Sequence, residues 1–291
     1  MHRFLLGYNI ESSDWSRPGT LVQFLRAAVS LHKELAFPCT FFVRGQSLEE
    51  HPDDVRRARD ECGDLFDFQQ YTYSGLPLKT VCQDDHRSMT VFPGGALRQC
   101  RDDVTRASDL MERVLAARPI GLCGPLGYYR GLSDRPDLLA IVRYLGIRFT
   151  RTYARNSRDY SPLAFETQPF RYAPQGFPDI LEIPGQGWPD CILREAMGYE
   201  NADIYIRQVG KDLDYVAAKG LTWSYAQYDW SSIASDPEMR ATRAILEHVR
   251  QLGFMVQTHR AYYEEMEAAS LKAELRPQAG GLRRASLTPD T

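Results

Sequence analysis

Acidic, amide and phenolic side chains follow several short apolar segments of the chain. Asn9 and Glu11 end the first such segment, Tyr71 follows a later one, and Tyr228 follows one nearer the C-terminus. A carboxylate can take a proton from water, and phenol or amide groups can hydrogen-bond a carbonyl oxygen that develops negative charge. Glu11, Tyr71, Tyr228 and Asn9 are therefore the predicted catalytic residues, with Glu11 as the candidate base.

Other polar and aromatic residues occupy equivalent places and could bind a substrate. A tryptophan can stack on a sugar ring or another planar group, and charged or amide side chains can hydrogen-bond its polar atoms. The predicted substrate-binding residues are Arg44, Gln70, Trp188, Asp190, Asp229 and His259. Further residues at similar positions are Cys123, Arg151 and Gln186.

Several of these residues also have a purely structural interpretation. Glu11 could form an ion pair with Arg44 or Arg151, and Asn9 could hydrogen-bond the end of its own strand. Asp190 follows a loop with two glycines and could cap the next helix.

Two of the remaining side chains could act in proton transfer or as a nucleophile. His259 could carry a proton at neutral pH or be a buried structural histidine. Cys123 could be a nucleophile, but no neighbouring base is evident in the sequence, and an inert buried thiol is the ordinary alternative.

The apolar segments alternate with longer amphipathic ones, and this pattern predicts the elements that position the site. The predicted strands are Arg3–Ile10, Cys39–Arg44, Asp64–Gln69, Ile120–Cys123, Ile147–Thr152, Ile180–Ile183, Thr222–Tyr228 and Phe254–Thr258. The predicted helices are Leu21–Leu35, Asp102–Ala117, Asp134–Tyr144, Ala202–Ala218 and Pro237–Gln251. Repeated β-then-α order indicates an α/β fold with a parallel sheet, here an irregular (β/α) barrel of seven or eight strands. In such barrels the active site lies at the carboxyl ends of the strands.

One domain accounts for most of the chain. Residues 1–268 are predicted to form the barrel, because no internal repeat or second apolar domain is found. The polar and aromatic segment Arg151–Gln175 is predicted to be a long loop over one end of it. Residues 269–291, rich in Ala, Gly, Arg and Pro, are predicted to be a flexible tail.

Two stretches resemble the polysaccharide deacetylase family (NodB homology, carbohydrate esterase family 4). The first is Thr40-Phe41-Phe42-Val43-Arg44-Gly45 followed by Glu50 and Pro52, and the second is Gln70-Tyr71-Thr72-Tyr73-Ser74-Gly75. The resemblance is diffuse but extends from about residue 4 to residue 266. It implies the same barrel and, for the family, hydrolysis of an acetamide by a divalent metal held by an aspartate and two histidines.

The residues at the family's catalytic positions differ in this chain. The resemblance places the base at Asn9, the acidic metal ligand at Glu11, the two histidine ligands at Tyr71 and Gly75, and the late histidine at Tyr228. Tyrosine binds metals poorly while its phenol is protonated, and glycine has no side chain to offer. The two tyrosines could hydrogen-bond a substrate or only fill the volume left by histidines and metal.

The sequence therefore predicts no bound metal or other cofactor. The leading hypothesis is a divergent, metal-independent hydrolase that cleaves a C–N (amide) bond of a sugar or small amide. An allantoinase-like branch of the wider family is described as acting on amide-type bonds without a metal. The alternatives are an inactive relative that binds carbohydrate or another small ligand, and a repurposed biosynthetic enzyme.

Composition excludes some other classes of function. The formal charge of −3 gives no electrostatic reason to expect a nucleic-acid partner. No apolar run reaches the length of a membrane span, and the N-terminus does not resemble a signal peptide, so the expected location is the cytoplasm. Six scattered cysteines without a CxxC pair predict reduced thiols. A homo-oligomer is compatible with the sequence.

Overall fold

The computed structural model describes residues 2–12 and 17–274. The strands are β1 (Arg3–Ile10), β2 (Cys39–Val43), β3 (Phe66–Gln70), β4 (Val81–Asp84), β5 (Met89–Phe92), β6 (Gly121–Tyr129), β7 (Phe149–Arg155), β8 (Phe170–Tyr172), β9 (Phe177–Glu182), β10 (Thr222–Tyr228) and β11 (Met255–Val256). The helices are α1 (Thr20–Leu35), α2 (Gly45–Glu50), α3 (Pro52–Cys62), α4 (Leu97–Leu115), α5 (Pro136–Tyr144), α6 (Asp190–Met197), α7 (Ala202–Lys219), α8 (Asp229–Ile233), α9 (Arg240–Gln251) and α10 (His259–Glu274).

One sheet carries the architecture. Its order is β10-β1-β2-β3-β6-β7-β9-β8, and the pairs from β10 to β9 are all parallel. β8 runs antiparallel to β9, and the two-residue β11 pairs in parallel with the start of β1. Seven parallel strands with helical crossovers confirm the predicted irregular (β/α) barrel, which the resemblance also implied.

Side chains alternate between the barrel interior and the surrounding helices. The interior is packed with apolar residues that include Leu5, Phe42 and Phe149, and α10 adds Tyr262 and Tyr263 at one end. Larger apolar clusters lie outside, where the sheet meets the helices. The period of two along a strand therefore decides which strand-end side chains can enter the barrel.

The barrel is closed by side chains at one seam. Among the described residues β9 and β10 do not pair with each other. Gln186, just beyond β9, accepts hydrogen bonds from Trp223 Nε1 at its carbonyl oxygen and from the Ser224 amide at Oε1, both at 2.9 Å. Gln168 both accepts from the Thr222 amide and donates to its carbonyl oxygen. Side-chain amides thus replace the ladder that a regular barrel has between these strands.

Three sequence-based expectations differ from the structure. The segment Arg151–Gln175 is not one loop, because its first residues belong to β7 and residues 170–172 form β8. The hairpin β4–β5 was not predicted, since its strands are four residues long and β5 is largely exposed. α10 continues to Glu274, past the predicted end of the domain, and residues 275–291 of the predicted tail lie outside the described residues.

Two smaller expectations concern composition. All six cysteines lie in the described part of the chain and none forms a disulfide. Within the described residues, 2–12 and 17–274, no helix is both long enough and apolar enough to cross a membrane.

Candidate functional site

A cavity of about 310 Å³ opens at the carboxyl ends of the barrel strands. It lies where barrel enzymes place their active sites. Its wall combines aromatic, amide and charged side chains from strands on both sides of the barrel. The lining residues are Asn9, Glu11, Tyr71, Gln83, Cys123, Gly124, Leu126, Gly127, Arg151, Ala154, Arg155, Ser161, Gly185, Gln186, Pro189, Cys191, Ile192, Ala226, Tyr228 and Trp230.

All four predicted catalytic residues line this cavity. Asn9 belongs to β1 and Glu11 follows it, Tyr71 follows β3, and Tyr228 ends β10. The pKa of Tyr71 is raised well above its ordinary value, first by burial and then by Glu11 and Tyr228, and Glu11 also raises that of Tyr228. The two phenols and the carboxylate are therefore near enough to influence one another.

Among the described residues that line the cavity, Glu11 is the only acidic one. Burial raises its pKa above the ordinary value of 4.5, and the negative charge of Asp229 adds to this effect. The indole Nε1 of Trp230, which donates to Glu11 Oε1 at 3.1 Å, and the Arg44 guanidinium lower it. A carboxylate with a raised pKa and few donors is suited to accept a proton near neutral pH.

Asp229 positions Glu11 and does not line the cavity. Its buried carboxylate accepts hydrogen bonds from the backbone amides of Glu11 at 3.4 Å and Ser12 at 3.0 Å. The structure therefore does not bring Asp229, a predicted substrate-binding residue, to the cavity wall. Because Asp229 directly follows Tyr228, its hydrogen bonds to the Glu11 and Ser12 amides link the end of β1 to the end of β10.

Tyr71 is fixed by the two stretches of the family resemblance. Thr72 has a φ of 61°, which is unusual for a β-branched residue and turns the chain directly after Tyr71. The Thr72 carbonyl oxygen accepts from the Gly45 amide at 3.0 Å. A Cβ at Gly45 would come within 2.5 Å of the Tyr73 ring, so a glycine is needed where the two segments pack together.

Tyr228 is held through its backbone by Asp190. The Asp190 carboxylate accepts from the Tyr228 amide at 3.0 Å and from Ser231 Oγ at 2.7 Å. Burial raises the pKa of Asp190 to about 7, and the nearby Arg194 guanidinium opposes that rise. Asp190 does not line the cavity, and it is the first residue of α6, whose N-cap is Pro189. In this structure the Asp190 carboxylate positions the backbone of Tyr228.

Asn9 forms the floor of the cavity together with Arg151 and Cys123. Asn9 Oδ1 accepts from Arg151 Nη2 at 3.1 Å and lies 3.6 Å from Cys123 Sγ. The Arg151 guanidinium lies over the Phe42 ring, 4.8 Å from its centre. Burial raises the pKa of Cys123 to about 11, which favours the inert-thiol interpretation.

Gln70 and His259 point away from the cavity. Gln70 Nε2 donates to Ser108 Oγ on α4 at 2.8 Å, outside the barrel. His259 is buried at the start of α10 and shares a hydrogen bond with Ser224 Oγ at 2.8 Å. Burial, with a contribution from Arg151, lowers the pKa of His259 well below 6.5, so it is neutral at physiological pH. Neither of these two predicted substrate-binding residues lines the cavity.

Trp188 and Arg44 lie beside the cavity without lining it. The Trp188 ring meets the Tyr160 ring edge-on at 6.0 Å and packs against the outer apolar cluster. Arg44 precedes α2 and acts on Glu11 only through its charge. The structure therefore places neither Trp188 nor Arg44, both predicted to bind substrate, on the cavity wall.

Several residues of the wall were not predicted from the sequence. Trp230, Arg155 and Gln83 line the cavity but were not predicted to bind substrate. Arg155 stands four residues after Arg151 on the same strand, so the period of two could have placed both on one face. Gln83 could not have been found, because it belongs to the unpredicted hairpin.

The residues at the implied metal positions do not fit a divalent cation. Tyr71 stays protonated at neutral pH because its pKa is raised, and Gly75 offers no side chain. Within residues 2–12 and 17–274, no three His, Cys, Asp or Glu side chains come together in a way that could hold a metal ion. A catalytic zinc site needs three protein ligands, and here only Glu11 is a competent donor.

The sequence matches no protein-family model and no curated protein. The structure is similar to that of a polysaccharide deacetylase from Mycobacterium smegmatis, with a TM-score of 0.69, 14% identity, and coverage of 92% of this chain and 91% of the other. It is similar to Puue allantoinase, with a TM-score of 0.64, 14% identity, and coverage of 92% of this chain and 90% of the other. It is also similar to a CE4 family pseudoenzyme from Bacillus anthracis, with a TM-score of 0.55, 10% identity, and coverage of 90% of this chain and 66% of the other. At these identities the likeness concerns the fold, and at that level it confirms the resemblance to the polysaccharide deacetylases.

Proposed function

We propose that this protein hydrolyses a C–N amide bond of a small molecule or single sugar unit without a metal ion. The observation that carries the proposal is the convergence of Glu11, Tyr71, Tyr228 and Asn9 in one cavity. Its volume of about 310 Å³ is at the lower end of the range for ligand sites, so the substrate is small.

Glu11 acts as the base in this proposal. Water attacks the amide carbonyl carbon while a Glu11 carboxylate oxygen takes one of its protons. The tetrahedral intermediate then collapses, the C–N bond breaks, and the leaving nitrogen receives that proton from Glu11. The products are a carboxylic acid and an amine, and Glu11 returns to its starting state.

Tyr71 and Tyr228 stabilise the oxyanion of the intermediate. Their pKa values are raised well above 10, so both phenols stay protonated and able to donate. Donors fixed in a water-poor site stabilise developing negative charge more strongly than water does. Asn9, held by Arg151, contributes a polar group on the floor beneath them.

The test is turnover of a panel of acetamido sugars and small linear or cyclic amides by wild type and Glu11→Gln. We expect the substitution to reduce kcat about 10²- to 10⁴-fold, because the base is removed while the shape is kept. Glu61→Gln, on the exposed surface of α3, is the matched control and should retain full activity.

A different outcome would favour the non-catalytic alternative. If wild type binds members of the panel but turns none of them over, the hydrolase proposal fails and the protein is a binding protein. Unchanged turnover in Glu11→Gln would instead show that Glu11 is not the base.

A further inference from the structure

The cavity wall carries more positive than negative charge. Glu11 supplies its carboxylate, whereas Arg151 and Arg155 supply two guanidinium groups. Both arginines belong to β7, and they are only 4% and 6% exposed. A buried charge without a counter-ion is costly, so a pair of them needs an explanation.

Arg151 has only neutral partners in the described part of the chain. Its Nη2 donates to the Asn9 amide oxygen, its plane lies over Phe42, and its buried Nη1 has no hydrogen-bond partner. Nη1 sits against Gly7, where a Cβ would come within 2.4 Å of it. The sequence therefore leaves room for this guanidinium while giving it no carboxylate.

Arg155 shows the same pattern farther along the strand. Its Nε donates to the carbonyl oxygens of Leu126 at 2.7 Å and Gly127 at 3.1 Å, and Nη1 donates to Gln83 Oε1 at 3.2 Å. None of the ion pairs formed by the described residues includes it. Nη1 also donates to the Asp159 carbonyl oxygen at 2.5 Å. Burial lowers the pKa of Arg155, and the charge of the Asp159 carboxylate opposes this by raising it, but Asp159 forms no ion pair with the guanidinium.

A third buried arginine shows what a structural guanidinium looks like in this protein. Arg194 is 1% exposed, and its Nε lies 3.8 Å from the carboxylate of the fully buried Asp190. Its guanidinium also lies over the Tyr205 ring at 4.1 Å. Arg194 also has two guanidinium nitrogens, Nε and Nη2, without a hydrogen-bond partner, so the difference lies in the counter-charge. Arg194 has a carboxylate within ion-pair distance, whereas Arg151 and Arg155 line the cavity without one.

We infer that the ligand of this cavity carries an anionic group, a carboxylate or a phosphate, which supplies the missing counter-charge for Arg151 and Arg155. The inference rests on the proposed function for the amide part of the substrate: the anionic group lies on the β7 side and the amide lies at Glu11. Arginine suits this role because it presents several N–H groups to an oxyanion.

The experiment compares pairs of ligands that differ in whether they carry an anionic group. N-acetylglycine is compared with N-acetylglycinamide, and N-acetylglucosamine 6-phosphate with N-acetylglucosamine, by calorimetry or ligand-observed NMR. We expect the anionic member of at least one pair to bind about tenfold or more tightly, and the pair that does so identifies carboxylate or phosphate. Equal binding within both pairs, or no binding of either anion, overturns the inference.

Asn9→Asp tests the assignment to Arg151. The change preserves shape and places a carboxylate about where the amide oxygen now accepts from Arg151, so the anionic preference should fall about tenfold. Asn201→Asp adds the same charge at an exposed site before α7 and should leave the preference unchanged. A preference that survives Asn9→Asp overturns the assignment.

Glu11→Gln separates this inference from the proposed hydrolysis. Removing the negative charge from the wall should strengthen anion binding, although it abolishes turnover. If no amide is hydrolysed but the charge preference holds, the hydrolase proposal fails and the anion site stands. Weaker anion binding in a folded Glu11→Gln variant contradicts the anion site.

Discussion

Two glutamates near the carboxyl ends of the strands have opposite surroundings. Glu182, at the end of β9, is fully buried and accepts five hydrogen bonds, from Thr150 Oγ1, Thr152 Oγ1 and amide, the Tyr153 amide and Tyr172 Oη. Glu11 is partly buried, and Trp230 is its principal side-chain donor. A carboxylate saturated with donors stabilises the fold, whereas one left short of donors remains available for chemistry.

The largest expected effect concerns the saturated carboxylate. Glu182→Ala should lower the free energy of unfolding by about 4 kcal/mol, because it leaves several buried donors without an acceptor and creates a cavity. Urea denaturation gives the value, and Glu112→Ala on the exposed face of α4 should change it little. A loss below about 1 kcal/mol would contradict the structural role of Glu182.

The next effect concerns Asp229, which positions Glu11. Asp229→Asn should reduce kcat about tenfold with little change in KM, because the backbone of Glu11 loses a charged acceptor. The Asp229 charge also raises the pKa of Glu11, so the acidic limb of the pH–rate profile should move to lower pH. A fall in kcat without that movement would indicate a general structural defect.

Trp230→Phe should produce a smaller change in the opposite direction. The indole hydrogen bond lowers the pKa of Glu11, so its loss should move the acidic limb to higher pH. Trp188→Phe removes an indole outside the cavity and should leave the limb in place. Movement of the limb to lower pH in Trp230→Phe would show that Trp230 does not stabilise the charged form of Glu11.

The smallest expected effect is on stability as a function of pH. The pKa of Glu11 in the folded protein is raised above 4.5, so the native state binds more protons than the unfolded chain between these two values. Stability therefore falls as pH rises through that interval, and the loss persists above it. Glu11→Gln should raise Tm at pH 8 but not near pH 4. An equal change in Tm at both pH values would show that burial does not raise the pKa of Glu11 in the folded protein.

The sequence predicted the barrel better than it predicted the wall of the site. Strand ends identified the four residues that converge, because parallel strands bring their carboxyl ends together. The same rule included Gln70, although strict alternation places Gln70 and Tyr71 on opposite faces and could have excluded it. His259 was included because it follows the predicted strand Phe254–Thr258. In the structure this strand has only two residues, and α10 begins at His259.

Other features depend on contacts that no local pattern shows. Asp190 and Asp229 act through the backbone of residues distant in sequence, as the pairs Asp190–Tyr228 and Asp229–Ser12 illustrate. The hairpin that contributes Gln83 has strands of four residues, so its composition gives little signal. The hydrogen bonds of Gln186 and Gln168 that close the gap between β9 and β10, here called the glutamine seam, likewise depend on how these two strands approach each other.

The glutamine seam has a consequence for motion. A strand ladder opens cooperatively, but the bonds that the Gln186 and Gln168 side-chain amides form with β10 can break one at a time when these side chains change rotamer. The bond from Trp223 Nε1 to the Gln186 backbone carbonyl oxygen then remains, so the barrel has a weaker closure, a latch, at this place on its circumference. Gln186 also belongs to the cavity wall. Occupancy of the cavity should therefore tighten the latch, and slower hydrogen exchange of the Ser224 amide, which Gln186 holds, would report a bound ligand directly.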